Sequence, residues 1–259
     1  MRRRLTALTL IFSFLSQLLL PATSDAVYVA KKLTKEAAFS KSLSRGWIYS
    51  EADYDKDTGI RGRIVGAIEA SPTAVWELYF RANDWNQYKM PSLKDSVALS
   101  PAFIKEFQDA KPKSAKEFYK LLGNRHFDQD EERKPGKVWE SYSLQFYDLP
   151  WPVDNKWFVI KHTHDETRTK EGLFSSKFTL IGGNIKAYDG EILLKPFQED
   201  SNRTEMDYQA IANSGYQIPK FLLVWGVHQM MPRVIKAIRK YLVKTGKGKQ
   251  SAEEDASHY

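Results

Sequence analysis

VWESYSLQFYDL at residues 138–149, KWFVIKHTH at 156–164 and GLFSSKFTLI at 172–181 open a run of alternating segments. IKAYDGEILLKPF at 185–197 and TEMDYQAIA at 204–212 continue it. Each keeps a period of two, with aromatic and β-branched residues, so each reads as a strand. Gly182-Gly183-Asn184 then reads as a tight turn between the third and fourth. IPKFLLVWGVHQMMPRVIKAIRKYLV at 218–243 breaks the pattern and repeats at helical spacing, with Pro219 near its start. Successive strands closed by one long helix predict an α+β fold with an antiparallel sheet, not βαβ alternation.

Upstream, RGRIVGAIEA at 61–70 alternates and reads as a strand, and Ser71-Pro72 is a helix start. The helix that follows carries Val75, Trp76, Tyr79 and Phe80 as a stripe. A short turn over 83–88, closed by Pro91, and a short strand over 96–100 come next. Residues 101–136, rich in Lys and Glu, are an insertion with two amphipathic helices over 103–109 and 115–122. Residues 27–60 read as a polar lead-in with one weak helix around 32–43. The apolar-poor stretch over 244–259 reads as a disordered tail. One domain over 61–243 is the expectation.

The N-terminus has a separate logic. Arg2, Arg3 and Arg4 precede an almost unbroken apolar run over 5–20, and Pro21 ends it. Small residues around Ala26 then suit cleavage, so residues 1–26 read as a secretory signal peptide and the mature chain begins at Val27. The run is short for a bilayer span. Export to a bacterial periplasm or outside the cell is the expected location.

Composition narrows the classes. Apolar residues make up 42% of the chain, enough for a packed core and against general disorder. The net charge of +7 falls to +5 once the three arginines and one aspartate of residues 1–26 are removed. That diffuse excess argues against nucleic acid as a partner and is compatible with transient contact at an anionic membrane. With no cysteine there is no disulfide framework and no lipid-modified cysteine.

Several local motifs, in their order, resemble the START-related superfamily, also called helix-grip or SRPBCC. Its members include lipid-transfer, coenzyme-Q-binding and polyketide cyclase-like proteins. The opening strand and helix are matched by Ile68-Glu69-Ala70-Ser71-Pro72 and Val75-Trp76-Glu77-Leu78. Trp85, Tyr88 and Pro91 match the segment that follows. The family's Pro-rich tip is matched over 149–159 (LPWPVDNKWFV), and its entry to the last helix over 215–222 (GYQIPKFL). Asn155-Lys156 stands where many relatives carry Arg followed by Asp, and the insertion is longer than the simple hairpin of the family. The resemblance implies a curved antiparallel sheet wrapped around the last helix, with a cavity between them for a hydrophobic molecule.

Helical spacing puts Leu223, Val227, Met230 and Met231 on the face turned to the sheet. The two methionines adapt to irregular neighbours, and all four are candidate ligand contacts. Period two turns Phe146, Phe178, Met206 and Tyr208 inward as the matching contacts from the strands. Ile218, Phe221, Leu222 and Trp225 lie on the opposite face of the helix, which later becomes basic with Lys236, Arg239 and Lys240. Either the insertion, the Pro-rich tip or a bilayer covers these four. As a gate and membrane contact they would border the family's ligand entrance.

Catalytic candidates are few. His162 and His164 share a strand face beside Asp165 and Glu166, but no third ligand stands at zinc spacing, so a solvated strand end is expected and no metal. No nucleophile elbow or phosphate-binding glycine loop occurs in the sequence, and no cofactor is implied. The leading expectation is a monomeric, non-enzymatic binding or transfer protein for a lipid, sterol or quinone-like molecule. A cyclase using Tyr142, Tyr208 and His162 is the alternative, and an interaction protein with a collapsed cavity is a third reading.

Overall fold

The computed structural model describes residues 36–90, 92–148, 155–215 and 218–250. The signal peptide and Val27 lie outside the described residues, as do Pro91, Trp151, the rest of 149–154, and 251–259. Helix α1 (Glu36–Ser44) leads into β1 (Ile48–Asp55) and β2 (Gly59–Ile68). Helix α2 (Pro72–Tyr79) and a 3-10 segment (Ala82–Tyr88) precede β3 (Leu93–Leu99). Two helices, α3 (Pro101–Ala110) and α4 (Ala115–Leu122), fill the insertion. Strands β4 (Val138–Tyr147), β5 (Lys156–Asp165), β6 (Phe174–Gly183), β7 (Ala187–Phe197) and β8 (Asp200–Asn213) follow, and α5 (Lys220–Lys244) closes the chain.

All eight strands form one antiparallel sheet in the order β1-β2-β8-β7-β6-β5-β4-β3. The sheet curves around α5, which is the antiparallel α+β class that the element order predicts in the helix-grip arrangement that the resemblance implies. Local chemistry sets the helix starts. The Ser71 hydroxyl accepts the Ala74 N–H at 3.3 Å, with Pro72 in the first turn. Ser100 and Ser114 cap α3 and α4 through the N–H groups of Phe103 and Glu117, each at 3.2 Å.

The expected lead-in over 27–60 holds a helix and a whole strand. β1 pairs with β2 along its full length, from Ile48↔Gly66 to Asp55↔Gly59. The tight turn expected at Gly182-Gly183-Asn184 is displaced: β6 runs on through Gly183 and β7 begins at Ala187. There β6 leaves β7 and stays with β5, with Phe158 opposite Gly183. Asn184 secures this departure: its side chain accepts the Trp157 N–H at 2.8 Å and donates to the Asn155 carbonyl at 2.9 Å.

Helices cover both faces of the sheet. On the convex side, α1 packs Leu43 against Val65, Ala67 and Phe197. At the other end of that side, Phe103, Phe107 and Phe118 of α3 and α4 cover Leu144, Trp157 and Val159. The insertion is therefore an outer layer and does not cover α5. On the concave side, Trp76, Tyr79 and Phe80 from the α2 region join Ile64, Ile192 and Ile235 in the main core.

Helix α5 has two unlike parts. Pro232 lies within it, and no residue from Lys220 to Met231 is buried. Beyond Pro232, Ile235, Ile238, Arg239 and Leu242 are buried. Arg239, expected on a basic outer flank, is instead an anchor. It donates to the Ala67 carbonyl at 2.6 and 3.0 Å and to the Gly46 carbonyl at 2.7 Å. The chain just after α5 is docked rather than loose, because the Lys249 N–H donates to the Glu69 carbonyl at 2.8 Å. Among the described residues, no helix is long and apolar enough to cross a membrane.

Candidate ligand cavity

A cavity of about 920 Å³ lies between the concave face and α5. Its size falls in the range of small-molecule sites, roughly 300–1,000 Å³. Two glycines let the helix come close to one side of it. A Cβ on Gly66 of β2 would stand 2.9 Å from Ile235 Cδ1, and one on Gly62 would meet Val227 and Met231. Away from β2, the helix and the curving strands part and leave the space.

Six of the eight residues expected to contact a ligand border this cavity: Phe178, Met206, Tyr208, Leu223, Met230 and Met231. Val227 does not. It is spent on packing, where a Cβ on Gly62 would lie 2.8 Å from its Cγ1. Phe146 is on the wrong face. It packs with the α3–α4 layer, while its neighbours Gln145 and Tyr147 border the cavity. The alternation in β4 misleads because both faces of that strand are covered, so apolar residues occur in either phase. Tyr142 shares the fate of Phe146 and sits with the outer layer.

Besides the expected Tyr208, the wall formed by β4–β8 carries polar groups outside the expected set: Gln145, Tyr147 and Tyr188. Tyr147 donates to Gln145 Oε1 at 2.9 Å, and the hydroxyls of Tyr188 and Tyr208 meet at 2.7 Å. Aromatic rings step along the same wall. Tyr147 stacks on Phe158 at 5.6 Å, Phe158 lies 4.8 Å from Tyr188, and Phe178 lies 5.1 Å from Tyr188 and 5.9 Å from Tyr208. Burial raises the pKa values of Tyr147, Tyr188 and Tyr208, so all three remain protonated phenols.

His162 and His164 are not a solvated strand end. Both are buried with their rings stacked at 5.5 Å, and their Nε2 atoms bond Ser143 and Ser141 at 3.1 and 2.8 Å. Desolvation pushes the pKa of His162 down to about 4 and that of His164 lower still than its usual value, keeping both neutral. Their Nδ1 atoms have no hydrogen-bond partner. His162 borders the cavity, and His164 lies behind it against Trp76 and Trp139. The neighbouring Glu166 is also buried. It accepts the indole N–H groups of Trp76 and Trp139 at 2.9 and 3.0 Å and the Arg133 guanidinium at 3.0 Å. This network ties α2 to β4 and β5. No group of three His, Cys, Asp or Glu side chains able to hold a metal occurs among the described residues.

Ile218, just before α5, borders the cavity, as do Gly215, Lys186 and Lys56. Phe221 is 70% exposed, Trp225 50% and Leu222 40%. Of the covers open to these residues, the insertion is excluded by its place on the convex face.

No family model matches the sequence, and no curated protein is significantly similar to it. Solved structures are similar in fold. The STAR-related lipid transfer protein from Xanthomonas axonopodis (fragment 25–204) superposes with a TM-score of 0.52 at 19% identity. That match covers 76% of this chain and 93% of that one. Human STARD10 superposes with a TM-score of 0.52 at 8% identity, covering 91% of this chain and 87% of that one. The Zhui aromatase/cyclase from a Streptomyces species gives 0.44 at 9% identity, covering 78% and 100%. The chain has the START-like helix-grip fold.

Proposed function

We infer that this protein binds a hydrophobic small molecule and carries it between membranes in an extracytoplasmic compartment. One observation carries the reading: a cavity of about 920 Å³, with mostly apolar walls, is lined by Ile218 and Leu223, the neighbours in sequence of the exposed apolar Phe221, Leu222 and Trp225. A ligand held there leaves water without exposing hydrocarbon, a gain of about 25 cal/mol per Å² buried. Phe221, Leu222 and Trp225 are placed to enter a membrane interface at the mouth, with Lys56, Lys186 and Lys220 nearby in the fold or sequence for anionic headgroups. Solvent exposure supports this gate over burial, because soluble proteins seldom leave such a cluster bare without use.

The other readings fare less well. A collapsed interaction domain would leave no such space. On the strand wall Tyr147 pairs with Gln145, Tyr188 with Tyr208 and His162 Nε2 with Ser143, which leaves His162 Nδ1 as the basic atom that a cyclase would have to use. The location rests on the basic head and apolar run of residues 1–26. Purifying the protein from its native compartment and identifying co-purifying molecules by mass spectrometry tests the whole reading. An amphiphile in stoichiometric amount supports it, and a ligand-free protein that takes up no lipid from vesicles refutes it. The same sample, by intact mass, is expected to begin at Val27.

A further inference from the structure

We propose that Asn202 is the acceptor for an N-linked glycan, added while the chain is being exported. The proposal rests on the export reading above and is independent of the cargo. Of the seven asparagines, only Asn202 has a Ser or Thr two residues on, in Asn202-Arg203-Thr204. Such a sequon marks a surface loop in an exported protein. Asp200, two residues before it, supplies the acidic position of the stricter bacterial acceptor sequence.

The fold provides that surface loop. Gln198 and Glu199 make a two-residue turn between Phe197 and Asp200, both in the left-handed region with φ of 53° and 64°. Phe197 lies opposite Asp200, but the preceding Pro196 lies opposite Thr204. Ser201, Asn202 and Arg203 are therefore looped out of the β7 ladder. The β2 ladder ends at the same Thr204, opposite Ile68. Asn202 is exposed, and among the described residues its side-chain amide makes no hydrogen bond. The residues around it hold the bulge in place. Arg203 pairs with Glu69 at 2.6 Å and lies 4.7 Å from the Phe197 ring, and the Asn202 backbone N–H donates to Asp200 Oδ1 at 2.9 Å.

In the reaction the Asn202 amide nitrogen attacks the anomeric carbon of a sugar carried on a polyprenyl pyrophosphate. The new C–N bond forms as the C–O bond to pyrophosphate breaks, and the amide gives up one proton to a carboxylate of the transferase. Recognition of the sequon also needs the Thr204 hydroxyl. In the fold that hydroxyl is fully buried and donates to the Ala70 carbonyl at 2.6 Å. The sugar must therefore be added before β8 closes on Ala70. Once the chain has folded, the exposed Asn202 carries the sugar without displacing a contact. The other end of β8 is at the cavity, which Asn213, Ser214 and Gly215 border. A strand of this length separates the two ends by up to about 35 Å. A hydrophilic glycan at Asn202 thus keeps its end of the molecule in water and leaves Phe221 and Trp225 free to meet a bilayer.

The test is the intact mass of the protein purified from its native compartment, with the Asn202→Gln variant beside it. The expected mass is that of the chain from Val27 plus whole sugar units, and fragmentation should place the addition on Asn202. Asn202→Gln should lose the whole addition and keep the far-UV circular dichroism of the parent. A chain from Val27 with no added mass overturns the glycan and leaves the export reading intact. So does an addition that survives in Asn202→Gln. A chain that retains residues 1–26 and carries no sugar overturns both.

Discussion

Gly62 of β2 and Val227 of α5 meet where the helix first leaves the sheet: a Cβ on the glycine would lie 2.8 Å from Val227 Cγ1. The glycine sets how low the first part of α5 can lie. Gly62→Leu is expected to lift it, at a cost of about 1–3 kcal/mol for overpacking. Differential scanning calorimetry should show a lower Tm. A fluorescent fatty-acid analogue should be retained less well because the cavity no longer closes. An unchanged Tm and unchanged binding would mean that α5 does not rest on β2 at this point.

Met230 is the better position for blocking the cavity, since Val227 is already used in packing. Met230→Trp should fill part of the space and weaken binding of the same analogue by about tenfold or more. Far-UV circular dichroism should stay near that of the parent. Full binding in the folded variant would place the ligand elsewhere.

Phe221 and Trp225 distinguish a membrane gate from a structural contact. Both are at least half exposed, so Phe221→Ser with Trp225→Ser should change stability by no more than about 1 kcal/mol. Sedimentation with anionic liposomes should fall to background, and transfer of a bound analogue between vesicles should slow. A collapse in Tm, the signature of lost core packing, would overturn the gate.

The buried histidines predict an acid-sensitive fold. The unfolded chain takes up protons near the ordinary histidine pKa of 6.5, while folded His162 does so only at about 4 and His164 is also depressed. Stability is therefore full above about pH 6.5 and falls between there and about pH 4, by up to about 3 kcal/mol for His162 alone. Urea titrations at pH 7.5 and 4.5 measure this. His162→Gln with His164→Gln should flatten the dependence in that window, and an unaltered slope would show that other groups set it.

The sequence pattern shows clearly some of these features and hides others. The strand run and long α5 are legible because period two and helical spacing persist over many residues, and Ser71-Pro72 marks a helix start by local chemistry, whereas Ser100-Pro101 starts α3 two residues before the helix expected over 103–109. β1 is hidden because IYSEADYD alternates with Glu51, Asp53 and Asp55 on an exposed edge, so it reads as polar loop. Phe146 misleads because β4 is covered on both faces. The pairing of Tyr188 with Tyr208 depends on the register of β7 against β8, which places Ile192 opposite Tyr208 and Tyr188 opposite Ala212. Hydrophobic alternation carries no information on that register. The burial of His162 and His164 depends in the same way on α2, whose Trp76 comes from far upstream in the chain.

Pro232 gives the molecule two levels of stability within a single helix. Proline has no N–H to offer the His228 carbonyl, so the ladder of α5 is interrupted there. The turns before it have no buried residue to lose, whereas the turns after it are held by Ile235, Ile238 and the Arg239 anchor. Segments with so few buried contacts open at free energies well below that of global unfolding. Amide hydrogens over 222–231 should therefore exchange orders of magnitude faster than those over 235–242, and their exchange should be insensitive to low denaturant. On the carrier reading proposed above, ligand entry would then require only melting or swinging of three turns, with the eight-stranded sheet left intact. On that reading, the rate at which those turns open sets an upper limit on how fast cargo can be loaded or released.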